Sequence, residues 1–320
     1  MCGCEALLKA IDRYIEKAGD DLEDTLAAAG FAASKKTVKA ARQLEDEVAD
    51  ALIEETELFT GSAAQAVDLE DFAERIWPGV KLTDGLAAKL TTVFAERFDE
   101  MMPDLVKAYL YRTDKELKLT QISKVTTGWI KRWSADLGDL MKLDSHKEIE
   151  HILDKGLKNG DDIAAFTRAI LDSGIRDEYY RARRVSLTEV LRAHSVAQQE
   201  AFRQNPSVTK KLWRHTGDYR NEPRQNHADF DGTTVETEER FELPGADGET
   251  YYPMYPRDTI LPAGESINCH CLCEPVVDAD ILGLPLEERQ ALQQKAIDEM
   301  DEEWEKELDA QNKAKAGIEV

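Results

Sequence analysis

Apolar side chains recur at three- and four-residue steps over residues 5 to about 204, with few glycines or prolines, as in amphipathic helices that pack through one face. Leu7, Leu8, Ile11, Tyr14 and Ile15 form the first stripe. Val38, Ala41, Leu44, Val48, Leu52 and Ile53 predict a helix over residues 36–59, which Gly61-Ser62 should end. Residues 68–77 read as a short helix capped by Asp68 and stopped by Pro78-Gly79, and residues 82–111 as a long one interrupted near Pro103. Over residues 122–143, Val125, Trp129, Ile130, Trp133, Leu137 and Leu140 fall on one side and predict a packed helix face. Asp161-Asp162 should cap a helix over residues 163–171, Ser173-Gly174 should break it, and a long helix with a basic start is expected over about 177–204.

After Pro206 the pattern changes. Gly, Pro, Asp, Thr and Tyr become frequent and the apolar period shortens, so short strands are expected at residues 208–214, 233–235 and 251–252. Helical spacing returns over residues 286–308. The predicted fold class is mainly α: an extended N-terminal helical region (1–205), a small α+β domain (206–280) and an acidic helical tail (281–320).

Composition sharpens this picture. A chain of 320 residues with 42% hydrophobic content can bury a sizeable core and hold two domains of the usual ~100–200 residues. The formal charge of -23 disfavours a general nucleic-acid coat, because affinity for phosphate comes mainly from Lys and Arg displacing counterions. Residues 176–224 nevertheless carry 11 Lys or Arg against 6 Asp or Glu, so Arg176, Arg181, Arg183 and Arg184 are candidates for local contact with DNA or an acidic partner, against the plainer reading of a solvated helix face. Residues 287–309 reverse the balance with 10 acidic and 3 basic, a tail that solubilises or docks on a basic surface. No apolar run reaches the ~18 residues of a membrane span and no signal-peptide core follows Met1, so folding in the cytoplasm is expected. Five cysteines, confined to the two ends, do not have the spread of a secreted disulfide framework.

Cys269, Cys271 and Cys273, with His215, His227 and His270, offer more than enough donors for tetrahedral zinc. Their alternate spacing argues the other way, since side chains two apart on a strand stand about 6.5 to 7 Å from each other while sulfurs sharing one zinc approach to nearly ~4 Å. C-x-C binds metal only if the backbone turns, and the plain alternative is a set of buried thiols with His227 hydrogen-bonded to a loop. His215, Asp218, His227, Asp229 and Asp231 also form a candidate acid–base or divalent-metal cluster of the kind a nuclease uses, although an Asp-rich loop with Asp231-Gly232 is itself a turn signal. Trp213 is expected to anchor the small core with its indole N–H paired, and Asn268 to cap a turn.

Taken in order, Trp213, Asp218 and Arg220, His227, Asp231-Gly232, Phe241, a Pro/Tyr-rich loop and Asn268-Cys269-His270-Cys271 resemble the C-terminal domain of the phage Mu F-like minor head proteins, the head morphogenesis proteins. The preceding R-R-V-S-L-T-E-V-L-R-A-H, from Arg183 to His194, is similar to that family's helical region, and the resemblance covers roughly residues 164–277. His270 stands where the family usually has Arg, and Cys273 adds a third thiol. The resemblance implies a minor head protein of a tailed phage or prophage, with the portal protein as partner and scaffold or capsid protein as further contacts. It places the protein at the portal vertex inside the capsid, touching packaged DNA only locally and acting in head assembly, DNA packaging or ejection. Catalysis is not expected, the alternative being a nuclease or toxin-like effector. His227, Cys269 and Cys271 fall on the family pattern and are the candidate ligands of a structural zinc, with Cys273, His215 and His270 in reserve.

Overall fold

Long apolar stripes become long helices, and their ends show where packing overrules local preference. The computed structural model describes residues 22–173, 178–216, 224–267 and 269–317, so the stripe from Leu7 to Ile15, Cys2, Cys4, Gly174, Arg176, Asp177, Asp218, Arg220 and Asn268 lie outside the described residues. Helix α1 spans Leu22–Ala28 and α2 spans Ser34–Ala63. α2 does not stop at Gly61-Ser62, because Phe59 and Ala63 are wholly buried and their packing outweighs the roughly 1 kcal/mol that glycine costs a helix. Asp68 caps α3 (Leu69–Asp71) by accepting from the Asp71 amide. A π turn over Phe72–Ile76 then feeds α4 (Trp77–Thr83), so Pro78 opens a helix instead of stopping one; in the first turn its missing N–H has no partner to lose.

Helix α5 (Leu86–Thr113) starts later than predicted, Leu82 being 87% exposed, and it runs unbroken through Pro103. Phe98, Met102, Leu105 and Val106 are buried around that proline, and their packing exceeds the ~3 kcal/mol it costs. Helix α6 (Lys124–Asn159) extends well past Leu143, drawn on by the buried stripe Ile149, Ile152 and Leu153. Of its predicted face, Val125, Ile130 and Leu137 are buried but Leu140 is 50% exposed. Helices α7 (Ile163–Leu171), capped by Asp162, and α8 (Glu178–Gln204) lie where the pattern put them.

The small sheet has the order β2 (Thr234–Glu236), β1 (Val208–Arg214), β5 (Leu272–Val277), all antiparallel, and a separate hairpin joins β3 (Leu243–Pro244) to β4 (Thr250–Tyr251). β5 was not foreseen, since Pro275 and Glu274 interrupt its apolar alternation. Short helices α9 (Gln225–Asp229), α10 (Ala263–Ser266) and α11 (Ala279–Leu282) punctuate this region. The tail is two helices, α12 (Leu286–Glu299) and α13 (Glu302–Lys315), not one, because Asp301 takes an extended conformation and caps α13 through the Glu303 and Trp304 amides. The class is mainly α with a small sheet-containing C-terminal part, as predicted.

The chain forms two compact units whose boundaries fall inside helices. One comprises Ala41–Glu100 and Thr127–Glu189. Its core sets Phe59, Phe72, Trp77 and Phe166 against Ile149, Leu153 and Ile170. Gly138 lets α6 approach α5 closely, for a β-carbon there would lie 2.5 Å from the Ala87 carbonyl oxygen. The other comprises the described residues up to Ala40, Met101–Thr126 and those from Val190 onward.

In this second unit the end of α8 is a buried polar spine. His194 bridges the Thr37 hydroxyl (2.7 Å) and the Tyr109 hydroxyl (2.8 Å), and burial lowers its pKa to about 3, so the ring is neutral. Glu200 accepts from the Ser123 amide and hydroxyl, the Thr126 hydroxyl and Gln204. Gln198 donates to the Cys273 carbonyl of β5 and Gln199 to the Thr237 carbonyl beyond β2. The tail also docks here: Arg289 pairs with Asp114 and Glu116, Gln293 donates to the Lys118 carbonyl, and Ile297 and Met300 pack on Val125. Among the described residues no helix is long and apolar enough to cross a membrane.

Candidate functional site

The site grows from β1. Alternation buries Lys211 and Trp213 on one face of the strand, a register shift between Val208 and Lys210 lets Val208 turn inward as well, and Trp213 pairs in register with Cys273 of β5. The Trp213 carbonyl accepts from the Gly232 amide and the Trp213 amide donates to the Thr233 carbonyl, each at 2.8 Å. Gly232 adopts φ +84°, a backbone shape that an L side chain resists, and Asp231 accepts from the His215 amide at 2.8 Å. This turn fixes α9 beside the strand, and α9 carries His227 to the Trp213 ring with centroids 5.6 Å apart. Phe230 and Phe241 meet the same indole edge-on.

His227, Cys269 and Cys271 come together, each no more than 3% exposed, with donor atoms all within 4.8 Å of one another. His227 Nδ1 lies 3.6 Å from Cys271 Sγ and 3.7 Å from Cys269 Sγ. Its other nitrogen, Nε2, lies 2.8 Å from Glu265 Oε2. Glu265, 3% exposed on α10, also accepts from the Ala246 amide (2.9 Å) and the Asn226 side chain (3.2 Å). A carboxylate accepting at Nε2 places the proton there and turns the Nδ1 lone pair toward the sulfurs. Nδ1 of half-buried His215 stands 3.5 Å from Cys271 Sγ.

The backbone turn that C-x-C needs is held by Arg257, a wholly buried residue at φ +65°. Its Nη1 donates to the Cys269 carbonyl at 2.7 Å and the Cys271 carbonyl at 2.8 Å. One nitrogen can reach both only if the oxygens are at most about 5.5 Å apart, closer than the ~6.5–7 Å repeat of an extended strand. Nη2 donates to the Ser195 hydroxyl of α8 at 2.7 Å. The thiols are free. Cys269 is held well below the ordinary thiol value, chiefly by its hydrogen bond with Cys271 and then by His227 and the Arg257 guanidinium, against the opposing effect of burial. Cys271 is pushed well above it by that same neighbour and by burial.

The remaining candidates are placed differently. Cys273, His270 and His215 fall outside the mutual set, although His215 touches Cys271; burial raises the Cys273 thiol to about 12, and the His270 carbonyl accepts from Thr216. Trp213 is buried as expected, but its indole N–H has no oxygen or nitrogen acceptor and faces the Cys271 sulfur, whose ionised form it favours. Arg224 donates to the Gly264 and Ile267 carbonyls, tying α10 in place. Asp229 accepts from Gln225 on the exposed side of α9 and is not in the buried thiol–imidazole group. Arg181 and Arg183 lie near Glu55 and Glu45 respectively, and Arg184 is exposed. Asp218, Arg220, Asn268 and Arg176 lie outside the described residues. Glu265 and Arg257 were missed by the sequence reading, because a lone Glu in P-A-G-E-S and a lone Arg in Y-P-R-D carry no spacing signal.

Residues 147–274 match the model of the family described as phage Mu protein F like protein, a span that begins inside α6 and takes in the whole site. The uncharacterized protein YqbB of Bacillus subtilis (strain 168) is 39% identical over 222 residues, 65% of this chain and 72% of that protein. No solved structure matches. With the Trp213 strand, the Asp231-Gly232 turn and the Cys269–Cys271 loop built into one small core, and with these two matches, the chain belongs to the phage Mu protein F like family of head morphogenesis proteins.

Proposed function

We propose that the protein is a minor head component of a tailed phage or prophage, associated with the portal vertex inside the capsid and acting in head assembly, DNA packaging or DNA ejection. The observation that carries this reading is the family match over residues 147–274, which coincides with the buried motif core. The charge of -23 suits a component surrounded by packed DNA, since it avoids indiscriminate adhesion to phosphate. Helix faces and the docked acidic tail then meet the portal, with scaffold or capsid protein as further partners. Burial of His227, Cys269 and Cys271 supports a structural role for that cluster over catalysis, because a substrate must reach a catalytic group.

The test is co-expression with the portal protein of the same phage or prophage, followed by size-exclusion chromatography and mass spectrometry of purified particles. A stable complex and a few copies per particle are expected. Absence from particles, together with nuclease activity that His227→Ala abolishes, would replace this reading with the effector one.

A further inference from the structure

We propose that His227 Nδ1, Cys269 Sγ and Cys271 Sγ bind one zinc ion, that His215, whose Nδ1 stands beside Cys271 but outside the mutual set, swings in as the fourth ligand, and that the site so closed is a structural clasp of the small domain. The inference is independent of the head-protein reading. Its first support is metric. Bonds of about 2.05 Å to nitrogen and about 2.3 Å to sulfur, at tetrahedral angles, put N···S edges at about 3.5–3.6 Å. The two His227 edges are 3.6 and 3.7 Å, and the His215 edge to Cys271 is 3.5 Å, while His215 must still move to reach the other ligands.

The second support is the surrounding shell. Zinc-bound imidazoles donate their other nitrogen to a carboxylate or carbonyl, and Glu265 takes that position on His227 while being itself anchored by two further donors. Wholly buried, the Trp213 indole N–H has no oxygen or nitrogen acceptor, and a metal-bound thiolate at Cys271 would supply one. The third support is charge. Two thiolates and Glu265 bring three negative charges and Arg257 one positive, so a divalent cation leaves this buried group neutral. Two thiolates with imidazole nitrogen favour zinc over the hard cations, which prefer oxygen.

The elements clasped are distant in sequence: the end of β1 through His215, α9 through His227 and the approach to β5 through Cys269 and Cys271. Such an ion contributes folding energy and no chemistry.

The full chain, expressed in zinc-supplemented medium and freed of loose metal by gel filtration, should contain about one zinc per molecule by mass spectrometry. Cys269→Ser, Cys271→Ser and His227→Ala should fall to about a tenth of that or less, whereas Cys273→Ser and His270→Ala should keep the full complement. Glu265→Gln preserves shape and should weaken zinc ten- to a hundredfold in competition with a chromophoric chelator, a measurement that does not depend on the ligand variants folding. Cobalt(II) should give tetrahedral visible bands with thiolate charge transfer, altered in His215→Ala. Zinc-free wild type whose Cys269 reacts readily with a thiol reagent would overturn the site, as would full zinc in the His227 and Cys269 variants. Unchanged affinity and spectrum in His215→Ala would overturn its place as fourth ligand.

Discussion

Two buried ionisable side chains make opposite demands on pH. Glu55, 3% exposed, has neither oxygen hydrogen bonded, and burial raises its pKa to about 8, with the nearby Ser145 hydroxyl the main opposing influence. Its folded value lies above its unfolded one, so stability falls as pH rises from about 4.5 to about 8 and the loss is complete above that. Glu55→Gln should therefore match wild type near pH 4.5 and exceed it by on the order of 3 kcal/mol near pH 9, measured by urea unfolding at both values. Lys211 is wholly buried, with Nζ donating to the Met254 carbonyl (2.7 Å) and to Gln199 (3.1 Å), and burial lowers its pKa to about 7. Here the folded value is depressed, so stability rises with pH from about 7 to about 10.5. Lys211→Met should stabilise most at or below pH 7, by a few kcal/mol at most after the lost hydrogen bonds are counted, with a gain that shrinks toward pH 10. In T-K-K-L-W nothing in the residue type separates the two lysines, and only the two-residue step from the core residue Trp213 marks Lys211 as the interior one.

At the scale of elements, the helices were legible because apolar periodicity survives any tertiary arrangement. Strand β1 and the caps at Asp68 and Asp162 were read to the residue, since each rests on local chemistry. Helix ends failed where long-range packing intervened, at Ser62, Pro103 and Leu143. Close approach between helices was equally invisible. Gly138 lies within an amphipathic run, and only the tertiary structure puts its α-carbon against the Ala87 carbonyl and Thr91. Gly138→Ala should raise helix propensity by up to ~1 kcal/mol yet destabilise overall by roughly 1–3 kcal/mol, because backbone must move. Thermal unfolding checks the sign. A net stabilisation would mean that α5 and α6 give way more easily than a contact of 2.5 Å implies.

For the whole molecule, the acidic tail is both docked and charged. Arg289, Gln293, Ile297 and Asn312 are buried, while Glu302, Glu303 and Glu307 point to solvent. Deleting residues 286–320 would uncover Asp114 and Val125 and so confuse folding with partner binding. Replacing Glu302, Glu303 and Glu307 by Gln leaves the Asp301 cap and the buried face intact. If the tail meets a basic portal surface, that triple variant should bind the portal about tenfold more weakly at low salt and nearly as wild type at high salt, as screened rim charges do. Equal binding at low salt would remove the tail from the interface.

The order of helices, the change of character after Pro206, the charge split and the motif from Trp213 to Cys271 are properties of the sequence itself, because periodicity, turn chemistry and residue spacing act locally. Family membership was legible for the same reason. The two compact units, the docking of the tail and the assembly of the thiol–imidazole cluster were decided by the tertiary structure alone. Local spacing told against the two thiols of C-x-C converging, and what brings them together is Arg257, a residue distant from the thiols in pattern that draws two carbonyls onto one guanidinium nitrogen. Glu265 completes the arrangement from another short helix, where a single carboxylate has no period to betray it.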